Sequence, residues 1–119
     1  MRSTTTCRRG GVVVVNVPFT DHSGTKKRPA IIVSADGFHR TLPDVIVCPI
    51  SSRPRYFEHP GAGDLPLRSW KAAGLRYPST VRISRTLAIH KNLIGRVLGR
   101  LPSEELNRVE SALRVALAL

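Results

Sequence analysis

The sequence predicts a mainly β fold, a closed or nearly closed small barrel followed by a C-terminal helix, and three observations lead there. Hydrophobic residues make up 41% of the 119 but aromatics only 5%, so the core must be built from Val, Ile, Leu and Ala, which favours β-branched strands. Short apolar runs recur between Gly- and Pro-bearing turns, as in compact all-β domains. From Ser103 onwards the apolar spacing becomes helical. Five or six short strands are expected in one domain, residues 1–119, long enough to bury about two thirds of its unfolded surface. Periodicity leaves SH3-like and OB-like barrels both open.

The first residues, Met1 to Gly11, are rich in Thr and Arg and end in a Gly pair, a frayed start that turns into structure. Val12 to Val17 is nearly continuous in apolar residues, which predicts a strand buried on both faces, ended by Pro18. A loop of turn formers, Phe19 to Lys27, leads into a second strand, Pro29 to Ser34. Because Pro29 fixes its own φ and biases Arg28 to extended backbone, Arg28 is expected at the joint between loop and strand. Ala35 to Gly37 reads as a turn and Asp44 to Ile50 as the third strand. Pro49 predicts that this strand leaves the sheet, lies at its edge or bulges, freeing Ser51 and Ser52 to face a ligand. Arg53 to Asp64, with two Pro and two Gly, reads as a long mobile loop, and loops of that length are commonly functional. A short strand at Leu65 to Leu67, a turn around Trp70 to Gly74 with Trp70 as a core plug, and a half-buried strand at Ser79 to Arg85 follow, extended by Thr86 to Ile89. Ser103 is expected to cap the last helix, with Glu104 and Glu105 at its positive end. Leu106, Val109, Leu113, Ala116 and Leu117 form its apolar stripe, and Glu104/Arg108 and Glu110/Arg114 are spaced for ion pairs on the outer face.

Charge narrows the function. Nineteen Lys and Arg against eight Asp and Glu give +11, a self-repulsion that implies a polyanionic companion: nucleic acid first, then an anionic membrane surface or an acidic protein. Between Leu65 and Arg100 every charged residue is Lys or Arg, which reads as a binding field rather than a mixed solubilising surface. Cys7 and Cys48 are too few for a disulfide framework and too far apart for a zinc knuckle, so both are expected as reduced thiols. Neither a membrane span nor a signal-peptide core stands out, which predicts a cytoplasmic protein.

No metal-ligand cluster, phosphate-cradling Gly loop or nucleophile elbow is present, so an enzyme on nucleic acid would have to work without a protein-bound metal or cofactor. RNA permits this, because its own 2′-hydroxyl can attack the adjacent phosphate. Arg28 suits the charge that grows on such a transition state, and Ser51 suits a hydrogen bond to a phosphate oxygen or the leaving group. The competing reading of Arg28 is a solvated gatekeeper at a strand end. His22, in the loop before Arg28, is the candidate for proton transfer, against the plainer reading of a surface histidine. His39, His59 and His90 have nothing nearby in sequence to raise them above surface positions.

Gly24 to Ser34 with Arg28-Pro29, together with Val12 to Val17, Val47 to Ser52, Ser79 to Arg82 and the helix to Ala118, resemble the MazF/PemK family of type II toxins, the ribosome-independent messenger-RNA interferases. The resemblance covers nearly the whole chain. It implies the SH3-like barrel of MazF, Kid and CcdB, a homodimer with single-stranded RNA in a groove across its interface, and metal-independent, sequence-specific cleavage to a cyclic phosphate and a 5′-hydroxyl. It also implies a cognate antitoxin whose acidic tail occupies the same groove. The family's arginine maps to Arg28, its catalytic threonine to Ser51, and the loop histidine and strand arginine of the PemK/Kid branch to His22 and Arg82. Lys26, Lys27, Ser52, Arg53 and Arg85 are the accompanying RNA-binding candidates. The acid that follows the strand arginine in that branch is Ser84 here, the loop glutamate is missing, and the Gly-Asp before the first strand is Gly10-Gly11. A non-catalytic nucleic-acid-binding barrel and a CcdB-like gyrase poison are the alternative readings.

Overall fold

A computed structural model describes residues 7–18 and 25–119. Among them, seven strands form one antiparallel sheet: β1 (Gly11–Pro18), β2 (Thr25–Ile32), β3 (Asp44–Ser51), β4 (Asp64–Pro66), β5 (Thr80–Arg82), β6 (Leu87–His90) and β7 (Ile94–Arg100). Their order is β4-β5-β3-β2-β1-β7, with β6 paired to β3. The α-helices among the described residues are α1 (Asp36–Thr41), α2 (Pro54–Glu58) and α3 (Ser103–Leu117). The sheet is barrel-like and mainly antiparallel, as expected, but its outer strands β4 and β7 do not pair.

Side chains alternate across a strand, and here both faces are covered. One face packs Val12, Ile31, Cys48, Val81 and Val109 of α3 into a core; the other packs Val13, Val15, Ala30, Ile32, Val45 and Val47. That is why the β1 run reads as continuous rather than alternating. The seventh strand is an addition to the five or six expected. Its sequence, Ile-Gly-Arg-Val-Leu-Gly-Arg, carries two Gly and two Arg and hides the strand signal, yet it pairs with β1 through Gly11↔Arg100 and Val13↔Val97.

Two proline expectations are corrected. Arg28-Pro29 lies inside β2, opposite Val15 and Val14, and not at a loop-to-strand joint. The β2–β3 ladder starts at Ala30, so Pro29 sits where β2 has only one neighbour and a missing N–H is tolerated. Nor does β3 leave the sheet at Pro49 or become an edge. Residues 44–47 pair with β6 and residues 50–51 with β5, and Pro49 occupies the handover between these two neighbours, where no donor is needed on that side.

Local readings change too. The turn at residues 35–37 continues into α1, which buries His39: Nδ1 faces the Cys7 carbonyl at 2.8 Å, and Nε2 bonds the Ser34 hydroxyl at 2.5 Å. A carbonyl only accepts, so Nδ1 carries a proton, and in the neutral ring Ser34 donates to Nε2. The expected loop at 53–64 contains α2. Cys7 and Cys48 are not joined in a disulfide, and Trp70 packs against the first core as anticipated.

In α3 the N-cap is Pro102, with no side-chain cap from Ser103. The two expected outer-face pairs are replaced by others. Glu110 reaches Arg9 at 2.6 Å, and Glu105, 2% exposed, turns inward. Its carboxylate accepts from the Arg68 and Ser69 N–H groups at 2.6 and 2.7 Å and from Arg108, which also donates to the Pro66 carbonyl at 3.2 Å. This clamp fastens the segment after β4 to the helix. Glu105→Ala would leave two partly buried amides and a guanidinium without their acceptor, and a loss of about 2 kcal/mol in unfolding free energy is expected by denaturant titration.

Candidate active site

The sheet registers decide which predicted residues meet. Ala30 pairs with Pro49 at the end of the β2–β3 ladder, and Arg28 and Ser51 each lie two residues beyond that last pair, on β2 and β3. Ser51 in turn pairs with Thr80, which shares its face with Arg82 two residues on. Arg28, Ser51 and Arg82 therefore point to one side of three neighbouring strands. They line a cleft of about 470 Å³ with Val15, Ala30, Val47, Pro49, Ile50, Arg53, Tyr56, Arg85 and Leu87. The floor is apolar and the rim is cationic.

Each charged group is held differently. Arg28 is half-buried on β2. Arg53 occupies the N-cap position of α2 and Arg85 ends the 3-10 turn Ile83–Arg85. Arg82 is the most restrained: its Nε lies 2.6 Å from Asp64 Oδ1 in a close ion pair that lacks the alignment of a hydrogen bond. The Asp64↔Arg82 pairing of β4 and β5 sets this contact, and Asp64 Oδ2 accepts from the Gly61 N–H at 3.0 Å. The other side of the Arg82 guanidinium lies 3.8 Å from the centre of the Tyr56 ring. The Ser51 hydroxyl accepts from the Arg53 N–H at 3.2 Å, which leaves its own O–H to donate.

Five of the nine candidate residues thus converge: Arg28, Ser51, Arg53, Arg82 and Arg85. Lys27 instead helps line a second groove of about 670 Å³ with Val14, Asn16, Arg28, Pro29, Gly95 and Arg96, towards the other face of the β1–β2 pair. Lys26 and Ser52 are exposed and line neither. His22 lies outside the described residues. Sequence reasoning missed Tyr56 and Asp64, which it left inside a loop. An acid, Asp64, meets Arg82 from the neighbouring strand, and no spacing along the chain announces that.

The Arg82 guanidinium against the ring, through its N–H groups and its charge, holds the Tyr56 phenol below its usual pKa. Burial pushes the Cys48 thiol up, which keeps it protonated and inert. Among the described residues no group of three or more His, Cys, Asp or Glu could hold a metal ion, and no helix is long and apolar enough to cross a membrane.

Solved structures share this fold. A mycobacterial endoribonuclease in complex with its cognate antitoxin is 20% identical, with 98% of this chain and 97% of that chain covered and a TM-score of 0.73. A MazE–MazF complex from Deinococcus radiodurans is 18% identical over 98% and 99%, with a TM-score of 0.76. The Mycobacterium tuberculosis toxin MazF-mt6 is 24% identical over 90% and 97%, with a TM-score of 0.69. No curated protein sequence matches the chain. The family described as PemK-like, MazF-like toxin of type II toxin-antitoxin system matches residues 8–117. The chain belongs to that family.

Proposed function

We propose that this protein is a metal-independent endoribonuclease that cuts single-stranded RNA, messenger RNA included, by attack of the 2′-hydroxyl on the adjacent phosphate. The observation that carries the proposal is the convergence of Arg28, Ser51, Arg53, Arg82 and Arg85 on one cleft, from three separate stretches of the chain. A cluster of guanidiniums around a single hydroxyl donor matches a phosphodiester passing to a phosphorane, where charge grows on the non-bridging oxygens. Arg28 neutralises that charge, Ser51 donates to one oxygen, and Arg53, Arg82 and Arg85 hold neighbouring phosphates. Lys26, Lys27 and Ser52 extend the field beyond the cleft, and His22 is a candidate for proton transfer. In this reading the chain acts as one cytoplasmic domain and as a homodimer, and an acidic antitoxin segment blocks the same cationic cleft.

The test is cleavage of single-stranded RNA by purified protein in EDTA. Products with a 2′,3′-cyclic phosphate and a 5′-hydroxyl are expected, and a substrate with 2′-deoxyribose at the cut position should resist. Binding without cleavage would identify a nucleic-acid-binding barrel instead, and inhibition of supercoiling without RNA cleavage a gyrase poison.

A further inference from the structure

The cleavage just proposed requires a proton for the departing 5′ oxygen, and the cleft holds few groups able to give one. Among the described residues that line it, the charged groups are Arg28, Arg53, Arg82 and Arg85, and arginine does not release its proton in proteins. A serine hydroxyl is far too weak an acid at neutral pH. Among the described residues, Tyr56 is the remaining group with an exchangeable proton that lines the cleft.

Its setting suits an acid. One ring face is covered by the Arg82 guanidinium at 3.8 Å, and Arg55 lies 5.6 Å from the ring centre. Arg82 is fixed in turn by Asp64, whose side chain is only 7% exposed. Arg53 adds positive charge from the start of the same helix. The charged groups around the phenol are therefore these arginines, with Arg28 and Arg85 across the cleft and Asp64 engaged behind Arg82. Such a field stabilises a phenolate once the proton has gone.

We propose that Tyr56 is the general acid of the RNA cleavage, that Arg82 stabilises its phenolate, and that Asp64 is the positioning residue that holds Arg82 against the ring. The step balances as follows. The 2′ oxygen forms a bond to phosphorus and loses its proton to solvent; the phosphorus–5′-oxygen bond breaks, its electron pair stays on oxygen, and the Tyr56 proton moves there. Water reprotonates the phenolate between turnovers. The lowered pKa of the phenol agrees with this assignment, since a stronger acid is the better donor to a departing oxyanion.

The inference rests on the endoribonuclease reading, and a matched pair of substrates separates the two. Wild type and Tyr56→Phe are compared on an oligoribonucleotide that the wild type cuts and on the same oligonucleotide with sulfur in place of the bridging 5′ oxygen, a leaving group that needs no proton. Tyr56→Phe should cut the oxygen substrate at least about 100-fold more slowly and the sulfur substrate within about fivefold of wild type. Equal loss on both, or no loss on the oxygen substrate, overturns the assignment; a wild type that cuts neither overturns the endoribonuclease reading. A second measurement needs no cleavage. Tyr56 and Tyr77 are the two tyrosines of the chain, so in Tyr77→Phe the phenolate absorbance reports Tyr56 alone. It should appear at lower pH than for an unperturbed tyrosine and move upwards in Arg82→Gln; an ordinary midpoint that Arg82→Gln does not move removes Arg82 from the proposal.

Discussion

Arg28→Ala is expected to lower the turnover of RNA cleavage about 1,000-fold while leaving the protein folded. Removing one preorganised donor to a developing oxyanion costs about 3–4 kcal/mol in barrier height, and Arg28 supplies both a charge and a planar fork of donors. Its position in the middle of β2, paired on one side with Val15, means the guanidinium extends from a backbone that cannot drift. The side chain is only half-buried, so truncating it opens no core cavity and thermal unfolding should be nearly unchanged. Arg28→Lys keeps a point charge without the fork and should recover little of the loss. Turnover at saturating RNA, measured beside a melting curve, separates the chemical role from a structural one. A rate within threefold of wild type would remove Arg28 from the mechanism.

Much of this arrangement was legible because its signals are local. The β-branched run at Val12 to Val15 carries its meaning within a few residues, and Arg28 and Ser51 stood out locally, although the backbone placement read from Pro29 and Pro49 was not the one the sheet adopts. What stayed hidden depends on pairing between distant segments. Arg28 and Ser51 come to one cleft only because β2 and β3 are neighbours, Asp64 meets Arg82 through β4 and β5, and Tyr56 meets Arg82 through a helix that the Pro and Gly content of residues 53–64 disguised. His39 looked like a surface residue because its partners, Ser34 and the Cys7 carbonyl, gather only once α1 folds over the sheet. Glu105 looked like a dipole-complementing acid, yet the amides it serves belong to a segment 36 and 37 residues away. Composition showed a cationic surface but not which cations share a cleft: Lys27 and Arg28 are adjacent, and strand alternation directs them to different faces.

The unpaired edges of the sheet lead to the largest expected effect on stability. Since β4 and β7 do not pair, the seam between them is filled by the segment after β4, whose backbone at Ala73-Gly74 lies directly against Leu98-Gly99 of β7. A Cβ on Gly74 would sit 2.2 Å from the Leu98 carbonyl oxygen, and one on Gly99 would sit 2.3 Å from that of Ala73. Both obstacles are backbone atoms, so no side-chain rotation relieves them, and Gly74 also has φ +88°, where an L side chain is strained. Adding overpacking to that strain gives about 4 kcal/mol for Gly74→Ala and about 3 kcal/mol for Gly99→Ala. Either is a large fraction of the 5–15 kcal/mol that holds a domain of this kind together, and each should lower the melting temperature by more than about 10 °C. The two substitutions open the same seam, so the double variant should be less destabilised than the sum by at least about 1 kcal/mol. Gly37→Ala is the control, because its Cβ would meet only the far end of Arg40 at 3.5 Å, and it should be neutral or slightly stabilising. Additive costs in the double variant would mean that the two glycines act separately, and a Gly74→Ala protein within 1 kcal/mol of wild type would mean that β7 does not depend on this backbone contact to stay in place.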